Sequence, residues 1–155
     1  MNKIDGREFR NCCGRFATGI TIVTTELEDN IHGMTANGFM SVSMEPPLIT
    51  ISVGQKTRMH PILSQSMRYG VSVLGEDMMS LSNHFAGRPD EGMEIPWVRQ
   101  NDMPLIDGAL AHFVTRVVDA HDAGDHTLFI GEVEYLAYGE GRPLLFYSGG
   151  YQTMQ

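Results

Sequence analysis

The residues best suited to binding lie in the stretch GMTANGFMSVSMEPPL (33–48), which is rich in short polar side chains and poor in charge. Thr35, Asn37, Ser41 and Ser43 supply three hydroxyls and an amide within nine residues. In an extended strand, residues 41 and 43 point to the same side. Such a wall of hydroxyls and backbone N–H groups can bind a planar ring with polar edges, or a phosphate. A polar turn without a ligand is the alternative.

A second candidate site follows in the segment GQKT (54–57). The spacing predicts a helix over 57–66, with Thr57 as its N-cap and Pro61 tolerated in its first turn. Lys56 and Thr57 would then join the free N–H groups of a helix N-terminus, which together form an anion site. The net charge of −8 repels anions at long range, so a phosphate site must be built locally in this way. A helix cap without a ligand is again the alternative.

Two histidines occupy positions where they can serve a site. His126, in GDHT (124–127), follows Asp125 and opens a predicted strand, where an imidazole can donate a hydrogen bond or relay a proton. His84 and Phe85, in NHFAG (83–87), end a predicted helix. The alternatives are a histidine that bonds locally in a turn, and a C-capped helix with a core phenylalanine.

Several function classes lack their signatures in this chain. The sequence has no GxGxxG, no GxxxxGK[ST], no HExxH and no GxSxG, and its six histidines lack metal-ligand spacing, so we expect no metal site. A pI near 5.1 disfavours nucleic acid and anionic membranes as partners. The absence of a signal peptide or a long apolar run predicts a cytoplasmic protein.

Cys12 and Cys13 are adjacent and exclude a disulfide framework. They are expected to pack as small apolar residues in the first helix, with metal binding or a reactive thiol pair as the alternatives.

The elements that must position these residues are mostly strands. Helices are predicted over 5–16, 57–66 and 77–85, the first capped by Asp5. β-branched content and alternation predict strands over 20–27, 31–36, 48–54, 68–75, 109–124, 126–139 and 143–151. Residues 87–104 are rich in Gly, Pro and acidic side chains and are predicted to form a mobile excursion. Many strands with local connections in 155 residues predict one domain, a closed or nearly closed antiparallel barrel.

These segments, in this order, resemble the short-chain flavin reductases of two-component flavin-dependent monooxygenases. The similarity extends over nearly the whole chain and rests on the segments FRNCCGRFATGITIVTT (9–25), GMTANGFMSVSMEPPL (33–48), GQKTRMHP (54–61), NHFAG (83–87), GDHTLFIGEVE (124–134) and PLLFYSGGY (143–151). The resemblance implies a mainly β fold, the FMN-binding split barrel, a Greek-key antiparallel barrel with a few short flanking helices that works as a homodimer. It also implies that NADH or NADPH reduces FMN or FAD, and that the reduced flavin passes to a separate oxygenase.

The resemblance further implies a set of site residues. Contacts to the isoalloxazine and ribityl chain would come from Thr35, Ala36, Asn37, Ser41, Val42 and Ser43. The flavin phosphate would be held by Gln55, Lys56 and Thr57, and the loop side of the flavin lined by His84, Phe85, Ala86 and Gly87. His126 would lie near the nicotinamide and Tyr151 near the cofactor cleft. The chain departs from the family pattern at Gly38 and at Gln55, where serine is usual.

Two other functions are compatible with the sequence. A split barrel can bind flavin or haem as a carrier or sensor without reductase activity, because fold does not fix function. A thiol-based redox protein using Cys12 and Cys13 is the third hypothesis.

Overall fold

The computed structural model of the protein describes residues 3–155 and is built mainly from antiparallel strands. The helices are α1 (Gly6–Cys13), α2 (Met59–Ser66) and α3 (Met79–Phe85). The strands are β1 (Thr18–Gly19), β2 (Thr21–Leu27), β3 (Asn30–Ala36), β4 (Phe39–Ser43), β5 (Leu48–Gly54), β6 (Arg68–Val73), β7 (Trp97–Gln100), β8 (Met103–Ile106), β9 (Ala111–Ala123), β10 (His126–Tyr138), β11 (Leu144–Tyr147) and β12 (Gly150–Thr153). Within residues 3–155, no helix is long and apolar enough to span a bilayer.

The main sheet has seven strands in the order β3-β2-β6-β9-β10-β5-β4. Its two edge strands, β3 and β4, are consecutive in the chain and are separated only by Asn37 and Gly38. The sheet must therefore curl until its edges meet, which produces a barrel with one open seam. The backbone N–H of Ser52 donates to the carbonyl of Gly38 at 2.9 Å, so the seam residues continue the β4–β5 ladder.

The barrel interior is filled by side chains from alternate positions of its strands, as the period of two requires. This core consists of Val23, Ile49, Ile51, Val53, Tyr69, Val71, Val117 and Phe129, with Met59 and Leu63 of α2 packed against it. A second apolar cluster lies outside the barrel, under α3 and β11. On β5, residues 49, 51 and 53 face the core, so Ser52 and Gly54 face the other way.

The strands predicted over 20–27 and 31–36 are present and pair as a hairpin of β2 and β3. Glu28 and Asp29 adopt φ values of 53° and 64°, the left-handed conformation that two-residue hairpin turns need. The C-terminal segment, predicted as one strand, is a hairpin of β11 and β12. Its turn lies at Ser148 and Gly149, which both have positive φ.

The prediction of a mobile excursion over 87–104 is wrong for its second half. β7 and β8 pair as a hairpin, and every residue of β8 is buried. Leu105 of β8 packs so closely on Gly70 that a Cβ there would lie 2.6 Å from its methyl group. The run MPLI is too short to signal a strand by periodicity, and it contains a proline at its second position. Its burial depends on β2 and β6, which pack against it and which the local sequence does not reveal.

Helix α1 begins as predicted, with the Asp5 carboxylate accepting from the N–H of Arg7, but it ends at Cys13 rather than at residue 16. Its apolar side chains are not packed. Phe9 is 63% exposed and Phe16 80% exposed, and both cysteines are exposed. The prediction that Cys12 and Cys13 pack as apolar residues is therefore wrong for the single chain, because α1 lies on the surface.

Candidate functional site

A cleft of about 590 Å³ lies along the seam between β3 and β5, beside the start of β10. Its wall combines backbone, small polar side chains and one cation, and is formed by Met34, Thr35, Ala36, Asn37, Gly38, Ser52, Gly54, Lys56, Thr57, Asp125 and His126. The structure thus brings together three segments that are distant in sequence, namely 34–38, 52–57 and 125–126. Six of the residues predicted from sequence are on this wall.

Strand register explains how His126 reaches the cleft. β5 and β10 are antiparallel with Gly54 opposite His126, so the imidazole lies on the face that β5 turns away from the core. Because Gly54 has no side chain, the ring can lie over it: a Cβ there would be 3.8 Å from His126 Nε2. His126 Nδ1 lies 2.8 Å from a carboxylate oxygen of Asp125. Nε2 is the ring nitrogen left to face a ligand.

Asp125 is held in its ionised form by its surroundings. The hydrogen bond with His126 lowers the pKa of this carboxyl below its usual range, and the charges of His126 and Lys56 act in the same direction. An ionised Asp125 accepts a hydrogen bond from the protonated Nδ1 of His126, and this bond fixes the orientation of the imidazole. Gln55 anchors the same turn, because its N–H donates to the Asp125 carbonyl at 2.9 Å and its side-chain amide donates to the His126 carbonyl at 3.1 Å.

The predicted helix-terminus site is only partly present. α2 begins at Met59, and Thr57 is not its N-cap: the Thr57 hydroxyl donates to the Gly54 carbonyl at 2.8 Å. The N–H groups of Gln55 and Thr57 are also occupied, by the carbonyls of Asp125 and Gly54. The GQKT segment is a turn closed on itself rather than the first turn of a helix. The exposed Lys56 ammonium is the cationic group on this part of the wall, with Thr57 beside it.

A smaller cavity of about 190 Å³ continues the cleft, since both are bounded by Thr35, Ala36 and Asn37. Its remaining wall is mostly apolar and consists of Ile20, Ser82, Ala86, Phe146 and Tyr151.

A polar network fixes this wall in place. The Tyr151 hydroxyl lies 2.8 Å from Ser82 Oγ and 3.0 Å from Asn83 Oδ1. The Thr35 hydroxyl donates to the Ser82 carbonyl at 2.6 Å. α3 is thereby connected to both β3 and β12.

Ser41, Val42 and Ser43 do not line either cavity of this chain. A bulge in β4 pairs Ser41 with Ile49 and Ser43 with Leu48, which are adjacent on β5 and point to opposite faces. The simple alternation that would place both hydroxyls on one wall is therefore broken at Val42. Ser41 and Val42 lie exposed on the edge strand, and their flavin contacts stay a prediction.

The NHFAG segment contributes less to the cleft than expected. Ala86 lines the smaller cavity, but Phe85 packs over the backbone of Gly33, with its ring 2.7 Å from where a Cβ would lie. The His84 Nδ1 accepts from the N–H of Asp90 at 2.9 Å, and Gly87 adopts φ +92° at the helix end. These residues shape the loop beside the site.

Sequence reasoning missed Ser52, Asp125, Ser82 and Phe146 as wall residues. Ser52 could have been found, because the alternation of LITISVG sets it opposite the buried Ile51 and Val53. Asp125 was noted only as a neighbour of His126. Ser82 and Phe146 depend on the docking of α3 and β11 and left no local signal.

Neither a metal cluster nor a thiol site lies in the cleft. Among residues 3–155, no group of three or more His, Cys, Asp or Glu side chains is arranged to hold a metal ion. Cys12 and Cys13 line neither cavity.

The chain is similar to known proteins over nearly its whole length. Residues 13–155 match the family model described as a flavin reductase like domain. The chain is 45% identical over 149 residues to an NADH-dependent flavin reductase from Rhodococcus sp., covering 94% of this chain and 85% of that protein. It is 37% identical to the reductase component of 4-hydroxyphenylacetate 3-monooxygenase from Thermus thermophilus, covering 94% and 95% respectively.

A solved structure gives the same result for the fold. The flavin reductase PheA2 in its native state superposes with a TM-score of 0.95 at 45% sequence identity, covering 98% of this chain and 99% of that one. The predicted split barrel is thus confirmed. The protein belongs to the flavin reductase-like domain family.

Proposed function

We propose that this protein is a reductase that uses NADH to reduce FMN or FAD and releases the reduced flavin to a separate monooxygenase. The observation that carries the proposal is the continuous cleft, with the Lys56 ammonium and the His126 imidazole on the wall of its larger cavity and an apolar cavity beyond. That order of groups matches a flavin, which has a phosphate, a hydroxylated chain and a planar ring. The chain's similarity to reductases of this kind supports the assignment.

The residues present suit a flavin chemically. Lys56 offers an ammonium to the phosphate, and the segment 35–37 offers backbone N–H groups, an amide and a small Ala36 side chain that leaves room for a flat ring. Ile20, Ala86 and Phe146 offer apolar contacts in the smaller cavity. When bound, the flavin accepts a hydride from NADH. This chemistry belongs to the two cofactors, so the protein has to supply only binding and orientation.

Within this mechanism, His126 orients the hydride donor. Its Nδ1 is held by Asp125, and its Nε2 faces the cleft, where it can accept a hydrogen bond from the carboxamide N–H of a nicotinamide. Hydride transfer requires the two rings at about 3–3.5 Å, so a fixed acceptor at this place raises the fraction of productive encounters. Thr35 and Tyr151, tied together through α3, keep the opposite wall rigid.

We further propose that the protein is a homodimer in the cytoplasm. Ile4, Phe9 and Phe16 form an exposed apolar surface on and around α1, with relative exposures of 73%, 63% and 80%. The segment 3–16 carries four basic and two acidic side chains, whereas the whole chain has a net charge of −8. A second copy therefore offers a surface of opposite charge to this segment. The cytoplasm supplies NADH and keeps Cys12 and Cys13 reduced.

The test is NADH oxidation by the purified protein without flavin, with FMN and with FAD. We expect turnover that rises with added flavin, because flavin is then a substrate. Flavin that binds but stays oxidised with both NADH and NADPH would contradict the proposal and indicate a carrier or sensor.

A further inference from the structure

Gly38 and Ser52 form a cross-strand pair on the wall of the cleft. The Ser52 N–H donates to the Gly38 carbonyl at 2.9 Å, and the next residues, Phe39 and Ile51, are paired and face the core. Neighbouring residues of a strand point to opposite faces, so position 38 and Ser52 share the cleft face. Both residues line the larger cavity.

Position 38 holds a glycine because there is little room for a side chain, and not because of its backbone conformation. Among the described residues, Gly38 is not one of the glycines with positive φ, so any L-residue can adopt its backbone conformation. A Cβ at position 38 would, however, lie only 3.2 Å from the Ser52 Cβ, and 3.7 Å and 3.8 Å from the Ser52 backbone O and N. Optimal carbon–carbon separations are about 3.5–4.0 Å. A side chain at 38 would therefore push against Ser52 on a rigid strand.

The Ser52 hydroxyl is available to a ligand. It is half-buried on the cleft wall and makes no side-chain hydrogen bond to another residue in the range 3–155. Its neighbours in the cleft, Gly38 and Gly54, have no side chains that could cover it. A hydroxyl can donate and accept, which suits a ring edge that carries both N–H and C=O groups.

The position of Ser52 favours contact with the flavin ring over contact with the phosphate. The phosphate end of the cleft begins at Gly54, where a Cβ would lie 3.2 Å from a methyl of Thr57. Ser52 is two strand residues away, which is about 7 Å. Lys56 lies further still from Ser52, beyond Gly54, so a flavin with its phosphate at Lys56 and its ribityl chain over Gly54 would bring its ring to Ser52.

We propose that Ser52 hydrogen-bonds the polar edge of the flavin ring and that Gly38 is required to leave this hydroxyl room. The inference rests on the proposed function, because it assigns a contact to the same flavin. It places on β5 a hydroxyl that the resemblance led us to expect at position 38.

The experiment measures dissociation constants of oxidised lumiflavin, riboflavin and FMN for the wild type and Ser52→Ala. Lumiflavin has the ring but no ribityl chain or phosphate. A single lost hydrogen bond should weaken binding about three- to tenfold, by the same factor for all three ligands. Ser80→Ala, an exposed serine of α3 outside both cavities, is the control and should change nothing.

Gly38→Ser and Gly38→Ser/Ser52→Gly complete the test. Gly38→Ser alone should weaken lumiflavin binding, because its Cβ displaces Ser52. The double variant removes the clash and supplies the hydroxyl from position 38, so its affinity should return to within about threefold of the wild type. A merely structural serine would give no such rescue. Circular dichroism and thermal unfolding establish that each variant is folded.

Three results separate the possible failures. If Ser52→Ala leaves the affinity for lumiflavin unchanged, the proposed contact between Ser52 and the ring is overturned, even if the affinity for FMN falls. A double variant that binds lumiflavin no better than Gly38→Ser overturns the role of Gly38. A wild type that binds none of the three flavins overturns the proposed function itself, and this inference with it.

Discussion

At the residue scale, the role assigned to His126 can be separated from its place in the fold. Its ring faces the cleft, and among residues 3–155 Asp125 is the one side chain that hydrogen-bonds it, at 2.8 Å. We expect His126→Ala to lower the rate of flavin reduction by about tenfold or more, since it removes the group that orients the hydride donor. The dissociation constant for FMN should change less than about threefold. Stopped-flow reduction and flavin titration measure the two quantities.

The control is His121→Ala, because His121 is also exposed and paired with a neighbouring aspartate, Asp119, but lies outside the cleft. It should leave both quantities unchanged. Equal losses of rate and affinity in His126→Ala would mean that His126 only supports the local structure.

Lys56 is the cation on the cleft wall, and the N–H groups of Gln55 and Thr57 on either side of it are already occupied. We expect Lys56→Ala to weaken FMN binding about three- to tenfold, a value reduced by solvent screening at this exposed site. Riboflavin, which lacks the phosphate, should bind as before. The difference should shrink as salt is raised. Arg58→Ala is the matched control, since Arg58 is an exposed cation next to the cleft but not on its wall. Equal weakening for riboflavin would place the phosphate elsewhere.

At the scale of elements, the stability contributed by the β7–β8 hairpin can be measured, since the sequence predicted a mobile segment over 87–104. Leu105 is fully buried, and its methyl group packs against Gly70. Leu105→Ala should lower the free energy of unfolding by about 2–5 kcal/mol, the usual cost of truncating a core leucine. Gln100→Ala, an exposed position in the same hairpin, should stay within about 0.5 kcal/mol. Denaturant unfolding measures both. A cost below 1 kcal/mol for Leu105 would mean that this hairpin is loosely attached.

The elements also show what sequence could and could not provide. Strands with strong alternation or β-branched content, such as β2, β5 and β10, were predicted within a few residues, because local pattern specifies them. β8 was missed because its burial depends on tertiary packing, and the bulge at Val42 was missed because it depends on pairing with β5. Predicted site residues lie on the cleft wall where motif residues and strand ends coincide, at 35–37 and His126. The wall residue Ser52 was not predicted, although the alternation of its strand carried the signal.

At the scale of the whole molecule, the two cavities define a direction along the cleft. The charged end lies at the start of β10, and the apolar end lies beneath α3 and β11. The cleft is open to solvent, since Asn37, Gly38, Lys56 and Asp125 on its wall are exposed. An open site is consistent with a flavin that enters and leaves during turnover, because slow product release would limit the rate.

The proposed homodimer can be tested through the exposed apolar side chains around α1. Ile4, Phe9 and Phe16 expose large apolar side chains around α1, and burying each against a partner would contribute roughly 1.5–3 kcal/mol. We expect light scattering after gel filtration to give twice the 17.2 kDa mass of one chain. Phe9→Asp/Phe16→Asp should shift the protein toward the monomer, because it places two charges per chain in the proposed interface.

Met154→Asp, an exposed apolar position at the C-terminus, is the control and should stay dimeric. A wild type that runs as a monomer at micromolar concentration would show that this surface faces solvent, and a double variant that remains dimeric would place the interface on another face of the barrel.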